Sequence, residues 1–179
     1  MKKIIQIMLL FTVIATTAQE KMVSYSGIIN FEASIPLFEE VNAINEKTTC
    51  ILITKTGQII CWISIKDFKF KKKMMQEHFN NNYMESNRFP TAIFKGKIAK
   101  FDLKNINTTV GEYQINGKIT IRGRTKRLLF NGTLKKVDQG IQLYATFPLN
   151  TDDFKIKIPF IVRSKISKNV NTKIICVLY

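Results

Sequence analysis

A single histidine, His78, serves the whole chain of 179 residues. A transition-metal centre converges three or four His, Cys or carboxylate ligands, and nothing in the chain supplies such a set. Cysteine is sparse as well. Cys50, Cys61 and Cys176 are odd in number and include no Cys-x-x-Cys pair, which rules out a complete disulfide framework. A Cys–His nucleophile pair would lack any recognisable local signature. Acid is scarce, with 13 Asp and Glu against 28 Lys and Arg, and no convergent acid–base pair falls near the apolar strand faces. Beyond residue 18 no apolar run is long enough to cross a membrane as a helix. Internal repeats and low-complexity linkers are absent too, so the chain reads as one domain.

Residues 1–18 stand apart from that domain. Lys2 and Lys3 precede an apolar stretch from Ile4 to Ala15, and Thr16-Thr17-Ala18 supplies small residues for cleavage. This is the pattern of a secretory signal peptide, too short to span a bilayer comfortably. It predicts a mature domain over 19–179 that begins at Gln19. The Lys-, Asn- and Ile-rich usage has a bacterial character, and with the exported mature chain this predicts a periplasmic protein.

The formal charge is +15, and removing Lys2 and Lys3 lowers it by two to +13. Lys95, Lys97, Lys100, Lys118, Arg122 and Lys135 are spread over alternating positions, as on a solvated outer surface. Lys71-Lys72-Lys73 is the one tight cluster. Export and the absence of a recognition motif argue against a nucleic-acid partner. Weak attraction to an anionic membrane surface fits the charge better.

What the chain has in abundance is alternation. Tyr113, Ile115, Gly117, Ile119 and Ile121 alternate with polar residues, and after Arg122-Gly123-Arg124-Thr125 the pattern resumes at Leu128, Phe130, Gly132 and Leu134. Successive strand side chains point to opposite faces, so this is a hairpin with one dry side and one wet side. Similar runs cover Val23–Phe31, Thr49–Thr54, Ile59–Ile65 (extending to Phe70), Thr91–Phe101, Ile141–Leu149 and Val170–Leu178. Residues 34–47 read as a loop or short helix, and 150–169 as irregular with a helical turn at Asp152-Asp153-Phe154. Met74, Met75, His78, Phe79, Asn82 and Tyr83 recur at helical spacing, which predicts a short helix within 71–84. The fold class is therefore all-β, a single eight-stranded antiparallel barrel interrupted by one short helix. Closure removes exposed edges, and at about eight strands it leaves an interior that side chains fill or that holds one ligand. Periodicity leaves a filled and a hollow barrel both open. It also leaves Cys50 and Cys61, which flank the Thr56-Gly57 turn, either as small apolar strand residues or as a cross-strand bond.

The segment His78-Phe79-Asn80-Asn81-Asn82-Tyr83-Met84-Glu85-Ser86, followed by Arg88-Phe89-Pro90-Thr91-Ala92-Ile93-Phe94-Lys95-Gly96, resembles the YceI-like family. The same is true of Gly117-Lys118-Ile119-Thr120-Ile121-Arg122-Gly123-Arg124-Thr125-Lys126 and of the Asp153-Phe154 turn. The likeness covers roughly residues 22–178. It implies a lipocalin-like barrel in the bacterial periplasm that stores or carries a long isoprenoid lipid, such as a quinone or polyprenyl chain, without catalysis. The chain departs from many relatives at Met75 and Gln76, where they carry an Arg-Asp pair, and at Phe79, where they carry Leu.

Such a lipid needs a long apolar channel with few unpaired polar groups. The expected lining is Tyr25, Ile29, Phe31, Phe94, Ile98 and Tyr113, with Ile115, Ile119, Leu128, Phe130, Leu143 and Phe147. Phe79 and Tyr83 are expected as a lid, and His78 as either a structural ring or a contact for the ligand head. Inward glycines at 27, 96, 117 and 132 suggest spare room, so Gly117→Phe is expected to block the ligand and spare the fold. No cofactor is implied apart from the bound lipid, and whether two barrels pair as a homodimer is open. An isoprenoid-modifying enzyme and a filled, basic envelope-docking module are the competing readings.

Overall fold

The computed structural model describes residues 21–179; the expected signal peptide and its cleavage point lie outside the described residues. Nine strands follow in order: β1 (Lys21–Ser34), β2 (Asn42–Ile53), β3 (Gln58–Ser64), β4 (Lys69–Phe70), β5 (Thr91–Ile98), β6 (Gly111–Ile121), β7 (Arg124–Val137), β8 (Gly140–Asn150) and β9 (Ile166–Leu178). Their order in the sheet is β1-β9-β8-β7-β6-β5-β3-β2, and β1 pairs again with β2. Eight antiparallel strands thus close on themselves and leave no free edge. The extra strand, β4, has two residues and lies on the start of β2, with Ala43 opposite Phe70. It arises because the run expected to continue from Ile59 to Phe70 is broken by a 3-10 turn at Ile65–Asp67.

Strand β2 starts earlier than its apolar pattern suggests. Asn45 and Thr48 face inward and are fully buried, which hides the strand from a hydrophobicity reading. Their polar groups find partners on β2 itself and on β3. Asn45 Nδ2 donates to the Ser64 carbonyl at 2.8 Å, and Asn45 Oδ1 accepts from the Lys47 amide at 2.8 Å. Burial without such partners would cost several kcal/mol.

In β1 the pairing with β2 shifts between Ser24 and Gly27 and again before Ile29. These irregularities reset the two-residue phase, because an inserted residue sends the following side chains to the other face. Ser24 is consequently buried and Tyr25 is 67% exposed, so the expected inward position of Tyr25 is corrected. Ile29, Phe31 and Ala33 keep the inward phase.

The β6–β7 hairpin turns on two residues. Ile121 pairs with Arg124, and both Arg122 (φ 47°) and Gly123 (φ 68°) are left-handed. A two-residue loop with both central φ values positive matches the twist of its strands. The helix predicted within 71–84 is α1 (Lys73–His78), extended by a π-helical turn over Phe79–Tyr83.

Cys50 and Cys61 sit directly opposite each other on β2 and β3, 4.1 Å apart at Cα, and are joined as a disulfide. The adjacent, facing placement settles which of the two sequence readings holds. Cys176 is free and buried. Burial pushes its thiol up to about 12, so it remains protonated and unreactive at neutral pH. The disulfide closes a short loop, with a sequence separation of 11. Loop-closure entropy for that length predicts that Cys50→Ala/Cys61→Ala lowers stability by about 2–4 kcal/mol. Urea unfolding of the variant beside the oxidised parent measures it; coincident midpoints would show that the bond adds nothing.

Candidate functional site

The barrel has two unlike ends. One carries the β2–β3 and β7–β8 turns, the β5–β6 connection and the C-terminus. Its interior is solid: Leu52, Ile98, Leu134 and Leu178 are at most 1% exposed, and Ile141 and Cys176 are buried among them. The other end carries the β1–β2 loop, the long β3–β5 connection with α1, the β6–β7 turn and the β8–β9 connection. There the interior opens into a cavity of about 400 Å³. The choice between a filled and a hollow barrel is therefore resolved by halves. A volume of this size lies within the usual range for small-molecule sites, about 300–1,000 Å³.

Eleven of the fifteen expected site residues meet around this cavity: Ile29, Phe31, His78, Phe79, Tyr83, Phe94, Ile115, Ile119, Phe130, Leu143 and Phe147. Four do not. Tyr25 faces solvent, Ile98 belongs to the solid end, and Tyr113 and Leu128 pack against the core away from the cavity wall. Sequence reasoning missed a second group on the β8–β9 connection. Phe154, Ile156, Ile158 and Val162 all reach the wall. The signal was present: Phe154-Lys155-Ile156-Lys157-Ile158 alternates with period two, although the segment forms no strand.

Aromatic rings define the two ends of the hollow. Near the mouth, Phe79 stacks on Phe31 at 5.4 Å and meets Phe68 and Phe70 at 5.6 and 5.0 Å. Deeper, Phe130 lies 4.5 Å from Phe147 and 5.7 Å from Phe94. Contacts in this range favour offset and tilted packing. Gln76 clips α1 in place: its side chain donates to the Phe68 carbonyl and accepts from the Phe70 amide at 3.1 Å. Gln76 thus holds α1 against β4.

The inward glycines have a different use from the one expected. Gly96 and Gly117 are directly opposed on β5 and β6. A Cβ at either would lie 2.6 Å from the Phe94 ring, and one at Gly117 also 2.7 Å from the Lys95 carbonyl. The pair makes a seat for Phe94, and neither glycine lies on the cavity wall. Gly117→Phe would strike backbone and displace Phe94, so the expectation that it spares the fold is corrected.

The wall is almost entirely apolar. Its titratable members, Glu39, His78 and Tyr83, come from the loops at the mouth, and Glu39 pairs with Lys72. His78 is exposed on the rim. Burial raises the Tyr83 phenol above its ordinary value, which keeps it a neutral donor. Within the barrel Thr172 is opposite Phe31 and Phe147, and its buried hydroxyl has no hydrogen-bond partner among the described residues.

Three mouth segments are tied at one point. Arg122, in the β6–β7 turn, donates to Glu85 of the β3–β5 connection and, through Nη1, to the Lys155 carbonyl of the β8–β9 connection at 2.6 Å. All three residues have positive φ.

The description of the YceI-like domain matches residues 16–177. This chain belongs to the YceI-like family. No curated protein matches it. Among solved structures, the YceI-like barrel is similar to a polyisoprenoid-binding domain from Saccharophagus degradans implicated in plant cell wall breakdown. That likeness has a TM-score of 0.75 at 11% identity, over 89% of this chain and 97% of that one. It is similar to BcnA of Burkholderia cenocepacia, with a TM-score of 0.70 at 15% identity, over 84% and 95% of the two chains. A Campylobacter jejuni YceI protein matches with a TM-score of 0.58 at 16% identity, over 75% and 81%. At these identities the structural likeness establishes the barrel fold.

Proposed function

We propose that this protein is an exported, non-enzymatic carrier that holds a long isoprenoid or quinone-type lipid in the hollow half of its barrel, for storage or transport in the bacterial periplasm. The observation that carries the reading is the cavity of about 400 Å³, walled by aliphatic and aromatic side chains and open at one end. Hydrocarbon gains free energy on entering such a space. About 400 Å² of buried tail at about 25 cal/mol per Å² gives on the order of 10 kcal/mol gross. Ordering the tail cancels several kcal/mol of that, which leaves micromolar or tighter binding within reach. The tail would lie against the Phe94, Phe130 and Phe147 rings, and the polar head would stay at the mouth near Tyr83 and His78. The structural likeness of this YceI-like barrel to a polyisoprenoid-binding domain supports the same class of ligand. A catalytic reading would need an acid–base pair beside the enclosed tail, whereas Glu39, His78 and Tyr83 come from the mouth loops. The Cys50–Cys61 disulfide agrees with an oxidising compartment.

Native mass spectrometry of protein taken from a bacterial envelope fraction tests the proposal. The expected spectrum shows a chain starting at Gln19 with a bound lipid of several hundred daltons or more. Lipid extraction then identifies an isoprenoid tail. A protein that arrives empty and takes up no added polyprenyl lipid overturns the reading.

A further inference from the structure

The outer side of the mouth loops is as distinctive as their inner side. On the β8–β9 connection, Phe154, Ile156 and Ile158 turn inward while Lys155 and Lys157 turn to solvent. At the 3-10 turn Phe160–Val162 the chain keeps Val162 on the cavity wall and leaves Phe160 and Ile161 85% and 84% exposed. On the β1–β2 loop, Leu37 and Phe38 are exposed between the lining residues Ala33 and Val41. Met74 is exposed on α1. Large apolar side chains are therefore exposed on three segments of one rim, with Met74 also bordering the cavity. At the plugged end, the exposed Leu103, Val110 and Tyr179 lie away from the cavity wall.

Cations accompany the rim residues. Lys71, Lys72 and Lys168 are paired with Glu40, Glu39 and Asp152. Lys73, Lys157, Arg163 and Lys165 have no carboxylate within ion-pair distance among the described residues, and the Lys155 ammonium has none either. An aromatic and an aliphatic tip between unpaired Lys and Arg is the chemistry of a bilayer interface. The tips enter the acyl boundary, and the long cationic side chains reach back to the head groups. Each cation near an anionic leaflet adds attraction that fades within a Debye length.

We infer that the open rim of the barrel docks on an anionic phospholipid bilayer, with Phe160 and Ile161 inserted and Lys157, Arg163 and Lys165 on the head groups. The cavity mouth then faces the membrane, and a lipid tail passes between bilayer and barrel without crossing water. The purpose of the contact rests on the carrier reading; the contact itself rests on exposure and charge.

Sedimentation of the full mature protein with vesicles tests it. Mixed phosphatidylglycerol–phosphatidylcholine vesicles are expected to carry the protein down, pure phosphatidylcholine vesicles far less, and added salt is expected to release it. Phe160→Ser/Ile161→Ser is expected to lower partitioning by about tenfold to a hundredfold, the loss of two partly inserted apolar side chains. Lys157→Glu/Arg163→Glu is expected to remove the preference for anionic vesicles. Equal sedimentation of the parent and both variants overturns the inference. So does retention on an acidic polypeptide resin with no vesicle binding, which would assign the face to an acidic protein. Bound lipid, read by native mass spectrometry on the same samples, separates the two proposals. Sedimenting protein that is empty before vesicle contact and takes up no added polyprenyl lipid keeps the docking face and removes the carrier; lipid-loaded protein that never sediments does the opposite.

Discussion

Ala92→Phe is expected to strip the barrel of its lipid while leaving the strands in place. Ala92 is buried on β5, opposite Ile63 of β3, and both line the hollow half. Because Ala92 borders the cavity, a phenyl ring at this position has that volume to enter. In the ligand-free protein the ring has space, so the cost falls on the complex. Overpacking costs about 1–3 kcal/mol, which corresponds to a loss of about tenfold to a hundredfold in affinity. Native mass spectrometry reads the occupancy, and circular dichroism with a thermal melt reads the fold. A folded Ala92→Phe protein with undiminished lipid would place the ligand elsewhere. The contrast with Gly117 is instructive. There a side chain meets the Lys95 carbonyl and the Phe94 ring at once, so lipid loss in a Gly117 variant could not be told apart from damage to the sheet.

Arg122→Ala is expected to be the most destabilising exchange at the mouth. The Arg122 side chain is 17% exposed and that of its partner Glu85 34%. Removing the guanidinium leaves a half-buried carboxylate short of its main partner and the Lys155 carbonyl without its donor. Breaking a buried pair by deleting one member costs about 3–5 kcal/mol, and partial exposure brings the expectation down to about 2–3 kcal/mol. For a domain of this size that is a fall of roughly 5–10 °C in the melting temperature. Arg122→Lys is expected to recover only part of it, because an ammonium cannot present the planar fork that spans two acceptors. The three loops tied by Arg122 border the cavity, so the exchange is also expected to speed lipid release. A melting temperature within a degree of the parent, with unchanged release, would remove Arg122 from this role.

Much of the fold was legible because strand alternation is local. Ile115, Ile119, Phe130, Leu143 and Phe147 lie two residues from their same-face neighbours, and the pleat sends them inward whatever the rest of the chain does. The helix within 71–84 was legible for the same reason with a different period. Tyr25 was misplaced because pairing irregularities change the phase without changing composition. The inner face of 154–158 was missed because its alternation sits in a segment with no strand partner. The start of β2 was hidden by Asn45 and Thr48, whose burial is tolerable only through hydrogen bonds that include a carbonyl on another strand, that of Ser64.

By itself the order of residues determined a single all-β domain with one dry face per strand, enough strands to close, and a short helix between two of them, since each of these follows from side-chain direction along a local backbone. Tertiary structure alone decided which half of the barrel is solid and which is hollow, that the Gly96–Gly117 pair seats Phe94, that Cys50 meets Cys61, and that Arg122 gathers three loops at the mouth. A void is the difference between the volume a closed sheet encloses and the volume its side chains occupy. That difference depends on strand tilt, register and the placement of distant loops, and no window of neighbouring residues contains it.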